Sequence, residues 1–406
     1  LNTTAALRSF WFFTLCAAAL LMVTMGARQS LGLYVSPINT STGLGIVAIS
    51  FAMAVGQFIW GAVQPIAGAF ADKYGPGRVL AVGIVALAGG TALTPLMSSE
   101  WGMVFSIGLV TAAGAGAGSF SVLMGAVSRR VTAQQRGMSS GIINAGASVG
   151  QFLFAPLTQK LISALGWMNA MWTVALIALT ALPFARALRG QARPVTAPNA
   201  VPEQTLRATL REAAHDRSYW LLHAGFFTCG FHIAFLITHL PGEVQLCGLP
   251  PSVASWSLAI IGLANIAGSL LVGWGVQHVR SKMILFWMYA SRVVLVALFL
   301  VAPKTDVTFY LFAAGLGATW LATVPPTAAL VGKLFGIRYL ATLFGLTLMS
   351  HQIGGFFGAW LGGIAMAQQG NYLWMWYADM ALAAMAAVVN LPIRETKILR
   401  ATPQSV

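Results

Sequence analysis

Long apolar runs alternate with short polar breaks along this chain, and they do so twelve times. The runs fall at 10–36, 45–71, 79–98, 101–127, 138–163, 167–187, 219–241, 252–276, 283–302, 308–332, 340–367 and 373–393. Each is near the ~20 residues that a helix needs to cross a bilayer. The period-two alternation of a membrane β-barrel is absent, and backbone groups in lipid must be satisfied internally, so the runs predict helices. The expected fold class is an all-α membrane protein with twelve transmembrane helices. One polar break, from about Arg186 to Arg217, is longer than the others and rich in Pro, Ala, Thr and Arg. It divides the chain into two six-helix bundles, 1–187 and 217–406, joined by a linker at 188–216. Within the linker, Glu203 to His215 predicts a surface amphipathic helix with Leu206 and Leu210 on one side.

Composition agrees with the pattern: 8% of residues are charged and 58% hydrophobic, against about 25% charged in soluble domains. A net charge of +14 raises the question of a nucleic-acid partner, but the distribution of charge argues against one. With a cytoplasmic N-terminus, Lys160 and Lys304 face outward, while Arg28 and Arg292 lie inside spans. The other Lys and Arg residues, among them Lys73, Arg78, Arg129, Arg130, Arg136, Arg280 and Lys282, sit at cytoplasmic ends or loops. This is the positive-inside bias, and it predicts cytoplasmic termini and residence in a bacterial cytoplasmic membrane. The first apolar run is too long for a cleavable signal peptide and reads as a retained anchor. Cys16, Cys229 and Cys247 have no metal-ligand spacing, so no metal is expected. Without a nucleophile–base set or a phosphate loop, neither enzymatic activity nor a cofactor is expected.

The two halves carry the same marks. Gly68-Ala-Phe-Ala-Asp72-Lys73-Tyr-Gly75-Pro-Gly-Arg78 follows the second run. A faded copy, Gly273-Trp-Gly-Val-Gln277-His-Val-Arg280, follows the eighth, 205 residues later. The copy keeps the leading glycine and the basic end but puts Gln277 where the first has Asp72. Shifted by 204, Gly141–Leu157 lies over Gly345–Leu361, with Gly150 over Gly354 and Phe152 over Phe356. Internal duplication of this kind marks secondary transporters. Gly146-x3-Gly150 and Gly354-x3-Gly358-x3-Gly362 place small residues on one helical face, where backbones can approach closely in lipid.

On these residues the chain resembles the major facilitator superfamily over essentially its whole length. Gly68-x3-Asp72-Lys73-x-Gly75-x2-Arg78 is similar to that family's signature between helices 2 and 3, and Arg136-Gly137 to its Arg-Gly element before helix 5. The resemblance implies two pseudo-symmetric bundles that rock about a central cavity lined by helices 1, 4, 7 and 10. It also implies a conformational gate at Gly68, Asp72, Gly75, Arg78 and Arg136. Within the family, Gly26-Ala-Arg28-Gln-Ser30-Leu-Gly32-Leu-Tyr34-x2-Pro37 resembles the first helix of the monocarboxylate-porter and oxalate/formate-antiporter branch. Span 8 looks like the same branch, with one departure. Asn265 and Ser269 stand where animal monocarboxylate transporters carry an Asp and an Arg.

Ionisable groups inside spans are few, and each costs at least ~2.5–3.5 kcal/mol to insert, which makes it a functional candidate. Arg28 lies nine residues before Pro37, roughly 13 Å below the outer end of helix 1 by helical rise. A guanidinium there can hold a carboxylate in a bidentate fork. Tyr34, Asn144, His232, Asn265, Trp320 and Gln352 are candidates for the rest of the substrate lining. His232, His351 and Asp379 are candidates for carrying a proton, since histidine titrates near neutral pH. Arg292 and Asp379 come at comparable depths in spans 9 and 12 and predict a structural ion pair. Asp72 at the end of helix 2 is suited to meet a helix N-terminus of the other bundle and so close the cytoplasmic side.

These residues point to a secondary transporter for a small organic anion, most simply a monocarboxylate coupled to protons, working as a monomer. The alternative is efflux of drugs or toxic compounds. Proton-coupled drug exporters of the family carry Gly-x8-Gly-x3-Gly-Pro-x2-Gly in helix 5. Here Gly141-x8-Gly150 fits, but Phe154, Ala155 and Thr158 fill the remaining positions.

Overall fold

The computed structural model describes residues 3–128, 130–131, 135–189, 205–276, 278–336 and 339–395; the side chains of residues 3–9, 72, 136, 137 and 341 lie outside the description. Every regular element among the described residues is helical. The spanning helices, labelled in chain order, begin with α1 Thr3–Gln29, α2 Ile46–Tyr74, α3 Pro76–Leu93 and α4 Glu100–Ser128. A 44-residue helix, Arg136–Leu179, turns back on itself at Gly166 (φ 77°) and so supplies α5 before the turn and α6 after it. The second half comprises α7 Arg217–Leu246, α8 Pro251–Gly275, α9 Ser281–Val301, α10 Asp306–Phe335, α11 Leu340–Gln369 and α12 Leu373–Asn390. The expected twelve helices are therefore present. The expected amphipathic linker helix is also there, at Leu206–His215, capped by the Thr205 hydroxyl.

Each bundle has its own apolar core. Leu20, Leu80, Leu87, Leu123 and Ile143 lie in the first, and Leu236, Leu258, Val296, Phe309 and Leu330 in the second. The glycine stripes work as helix contacts, and the duplication shows in them. A Cβ on Gly146 or Gly150 of α5 would strike the Ala18 and Met22 carbonyls of α1. One on Gly354 or Gly358 of α11 would strike the Phe227 and Phe231 carbonyls of α7. The equivalent helix pairs of the two halves thus touch at one equivalent glycine, Gly150 and Gly354, with Gly146 and Gly358 adding a contact in each half, through packing rather than hydrophobic drive.

Between the bundles the contacts are one-sided. Gly32, in the 3-10 turn that follows α1, presses on the Ile237 carbonyl of α7, Gly61 of α2 on the Gln352 side chain of α11, and Gly262 of α8 on the Ser148 carbonyl of α5. Phe51 meets Phe356 and Trp360 at 6.0 and 5.7 Å between ring centroids. Nearer the side bearing the termini, Gly68, Gly141, Gly273 and Gly345 have no atom within 4 Å of a Cβ position. The bundles are joined along the half away from the termini and part on the termini side.

Two helix interruptions prepare the interior. The α4 backbone passes through a π-helical stretch, Val104–Thr111, in which the Thr111 hydroxyl donates to the Ser106 carbonyl at 2.8 Å. Such stretches often accompany functional sites. The α10 helix stops at Thr319 and restarts at Val324, immediately before Pro325 and Pro326. Proline has no N–H to donate and pushes its predecessor away from helical geometry, so the break is dictated locally.

Candidate functional site

Arg28 occupies the last turn of α1, half-buried, where both bundles meet. One guanidinium nitrogen donates to the Gln57 amide oxygen of α2, and the guanidinium lies over the Trp60 ring, 4.2 Å from its centroid. Such stacking stabilises a cation without neutralising it. A cavity of about 30 Å³ opens beside it, with Met53 and Gln57 from α2, Thr111 from the π-helical stretch, and Ile237 and Thr238 from α7 in its wall. That is room for roughly one water. Arg28 is the one charged residue in the wall. The Trp60 indole N–H nearby is buried with no acceptor among the described residues. The arrangement offers fixed donors and positive charge, with only a neutral amide in the acceptor position.

A second constellation lies inside the C-terminal bundle. His232 of α7 and Asp379 of α12 are 1% and 0% exposed, and His232 Nδ1 stands 2.6 Å from Asp379 Oδ2. His232 Nε2 and Asp379 Oδ1 have no hydrogen-bond partner among the described residues. Arg292 of α9, also 1% exposed, donates to the Thr319 carbonyl, to the Trp320 carbonyl at 3.0 Å and to the Thr319 hydroxyl at 3.3 Å. Its expected partner Asp379 is instead bound by His232. The reason is the break in α10, which turns carbonyl oxygens toward Arg292 and gives the guanidinium neutral acceptors in fixed positions. Cys229 lies in the same region with its sulfur 3.3 Å from the Thr323 hydroxyl.

Asn265 ties that break to the other bundle. Its amide nitrogen donates to the Ser148 hydroxyl of α5 at 2.8 Å, while its oxygen accepts from the Leu321 N–H at 3.0 Å and from Ser269 at 3.3 Å. The residues standing in place of the branch's charge pair thus form a neutral bridge between α8, α10 and α5.

The remaining candidates scatter. Tyr34 packs among Ile38, Trp167 and Met171 inside the N-terminal bundle and is no part of the Arg28 cavity wall. Trp320 is buried, its ring 6.1 Å from that of His232. Gln352 is buried at the α2–α11 crossing, its amide 3.3 Å from His351 Nδ1. His351 packs on Phe226, 5.1 Å between centroids, and takes no part in the His232–Asp379 pair. Asn144 is half-buried on α5. In the motif expected to form a gate, Gly75 ends α2 at φ 91° and Pro76 opens α3, so it makes a tight turn that glycine permits and proline pre-sets. Arg78 is exposed. The side chains of Asp72 and Arg136 lie outside the described residues, and so does Gln277.

Two bundles built as parallel repeats, a one-sided opening and a charged site at their junction are the anatomy of an alternating-access transporter. The chain belongs to the major facilitator superfamily, whose profile matches residues 15–359. It is similar to monocarboxylate transporter 13 of Rattus norvegicus, 25% identical over 387 residues that cover 94% of this chain and 89% of that protein. It is also similar to the oxalate:formate antiporter of Oxalobacter formigenes, 26% identical over 390 residues, covering 92% and 88%. Its fold matches that of a D-xylose–proton symporter with a TM-score of 0.71 at 15% identity, covering 95% and 98% of the two chains. The protein is a multi-pass membrane transporter of this superfamily.

Proposed function

We propose that the protein carries a small organic anion, most simply a monocarboxylate, by alternating access coupled to protons. The observation that carries this reading is Arg28: a cation at the junction of the bundles whose only hydrogen-bond acceptor among the described residues is the neutral Gln57 amide. A substrate carboxylate displaces that amide and gains charge-assisted bonds, about twice as strong as neutral ones. The cavity wall draws on both bundles, so an anion held there favours their closure around it. The two sequence relatives, a monocarboxylate transporter and an oxalate:formate antiporter, support the same substrate class.

For the proton, His232 and Asp379 are the best placed groups. A proton taken up there changes the charge beside Trp320, at the α10 break. From that break the Leu321 N–H reaches Asn265 and, through it, Ser148 of the other bundle. This gives protonation a physical route to the bundle interface. The distribution of Lys and Arg supports cytoplasmic termini in a bacterial cytoplasmic membrane, with the parted side facing the cytoplasm. In this reading Gly68, Asp72, Gly75, Arg78 and Arg136 close that side in the opposite state, and one chain suffices for transport.

The test is thermal unfolding of the detergent-purified protein with formate, oxalate, lactate and pyruvate, and separately with lipophilic cations. Stabilisation by a carboxylate, lost in Arg28→Ala, is the expected result. Stabilisation by lipophilic cations alone would overturn the reading in favour of drug efflux.

A further inference from the structure

The α8–α9 turn is the decayed copy of the signature motif, and the decay leaves its charges uncompensated. The first copy includes an acid, Asp72, with Lys73 and Arg78; the second has Gln277 at that position, followed by Arg280 and Lys282. Around this turn, on the termini side of the C-terminal bundle, the structure has a cavity of about 580 Å³. Arg280, Lys282, Lys333 and Arg394 line it, with His278 at its edge, and Glu395 is its one carboxylate. Four cations face one acid.

That acid is already engaged. Glu395 accepts from the Ser281 N–H at 2.8 Å, from the Lys282 N–H at 3.4 Å and from the Lys333 ammonium at 2.6 Å. It caps the N-terminus of α9 and fixes one wall of the cavity. Arg394 reaches outward to Asp216, and the Lys282 ammonium donates to the Leu391 carbonyl at 2.9 Å. Arg280 has no side-chain partner among the described residues. The cavity therefore has a surplus of positive charge that no acidic side chain of its wall removes.

Directly beneath it the surface is apolar. Leu270, Leu271 and Trp274 on α8 and Trp287 on α9 are exposed large side chains. Trp274 stacks on His278 at 4.3 Å, which puts an aromatic–imidazole pair between the apolar flank and the basic cavity. Trp is favoured at the membrane–water boundary. Basic cavity above, apolar flank below and an interfacial aromatic between them match a molecule with an anionic phosphodiester head and acyl chains. Basic pockets between helices on the cytoplasmic side bind such heads.

We infer that this cavity is a binding site for the headgroup of an anionic phospholipid, with Arg280 and Lys282 as its principal phosphate ligands. The lipid ties the α8–α9 turn to the ends of α10 and α12, so it stiffens the C-terminal bundle without entering the substrate path. A free phosphate monoester shares the head chemistry but lacks the acyl chains.

The test is native mass spectrometry of the full chain released from detergent carrying phosphatidylglycerol or phosphatidylcholine. Retained phosphatidylglycerol adducts and few phosphatidylcholine adducts are expected. Affinity should fall roughly thirtyfold in Arg280→Gln/Lys282→Gln, from about fivefold for each surface cation. It should be unchanged in Arg207→Gln/Arg211→Gln, which removes two exposed cations from the linker helix. Because Lys282 also holds the α12 end, Arg280→Gln alone is measured too and should show a smaller fall in the same direction. Adducts that persist in both Arg280 variants, or no preference for the anionic lipid, would overturn the site. Equal protection by glycerol 3-phosphate would overturn the lipid assignment and leave a soluble phosphate as the ligand.

Discussion

Each bundle has one arginine deep within a span, and the two could hardly be housed more differently. Arg28 is half-buried, bonded to a single amide, stacked on Trp60 and open to a cavity whose wall draws on both bundles. Arg292 is fully buried inside one bundle, with three hydrogen bonds to the broken end of α10 and a pair, His232–Asp379, in the same core. Both carry the same insertion cost. What separates them is how many hydrogen bonds the protein itself supplies: Arg292 makes three to the fold and leaves only Nη1 without a partner among the described residues, while Arg28 makes one and keeps donors for a ligand. Depth in the membrane alone does not distinguish a binding arginine from a structural one.

The sharpest way to break this comparison is to remove its buried side. Asp379→Ala leaves the buried His232 imidazole without its carboxylate and should cost about 3–5 kcal/mol, the usual effect of removing one partner of a buried pair. Thermal unfolding in detergent measures it; Asp379→Asn, which keeps the shape and a hydrogen-bond acceptor, should fold and lose the pH dependence of transport in proteoliposomes. Arg292→Met comes next. It strips the Thr319 and Trp320 carbonyls of a charged donor, for a loss of about 1.5–3 kcal/mol. Arg28→Met, at the same nominal depth, should change stability by less than about 1 kcal/mol, because Gln57 then has water or a neighbour to bond. If the two arginines prove equally important for folding, the contrast between them is wrong.

A smaller effect is expected at the link between the bundles. Asn265→Ala leaves the Leu321 N–H and the Ser148 hydroxyl without this partner, at a cost of about 1 kcal/mol. It should also loosen the α5–α8 contact, read as faster hydrogen exchange at Ser148 and Leu321. The smallest effect concerns Glu395, outside the spans. Burial alone would raise its carboxyl pKa, but the Lys333 ammonium and the Ser281 and Lys282 N–H groups outweigh that and hold it below its ordinary value. A depressed carboxyl stabilises the fold at pH above its unfolded pKa and loses that contribution as pH falls through the folded one. Wild type should therefore lose part of its margin over Glu395→Gln in acid, by less than about 1 kcal/mol for so peripheral a pair. Equal acid sensitivity in the two proteins would exclude the cap.

The fold was legible because lipid leaves so little choice. Apolar runs of spanning length must be helices, and the copies of the Gly68–Arg78 and Gly141–Leu157 segments announced the duplication. The glycine stripes were readable for the same reason: a residue without a Cβ is informative wherever backbones touch. The sites were legible only as residue types. Arg28, His232, Asp379 and Asn265 stood out as polar groups in apolar runs, but their partners come from helices distant in sequence. Nothing in spans 9 and 12 reveals that Asp379 meets His232 of span 7 rather than Arg292. The misreading traces to Pro325-Pro326, which was visible in the sequence and marks the break whose carbonyls hold Arg292. Trp60, Thr111 and Thr238 carried no signal of their own, since their relevance depends on how the bundles meet.

The central claim is that the Arg28 guanidinium receives a carboxylate, and the most direct measurement pairs a change in the protein with the matching change in the ligand. Dissociation constants of lactate and of its uncharged amide, lactamide, are measured by calorimetry for wild type and Arg28→Ala. Wild type should prefer lactate by at least about tenfold, as one charge-assisted contact predicts, and the variant should bind the two alike. A preference for lactate that survives intact in Arg28→Ala would contradict the account.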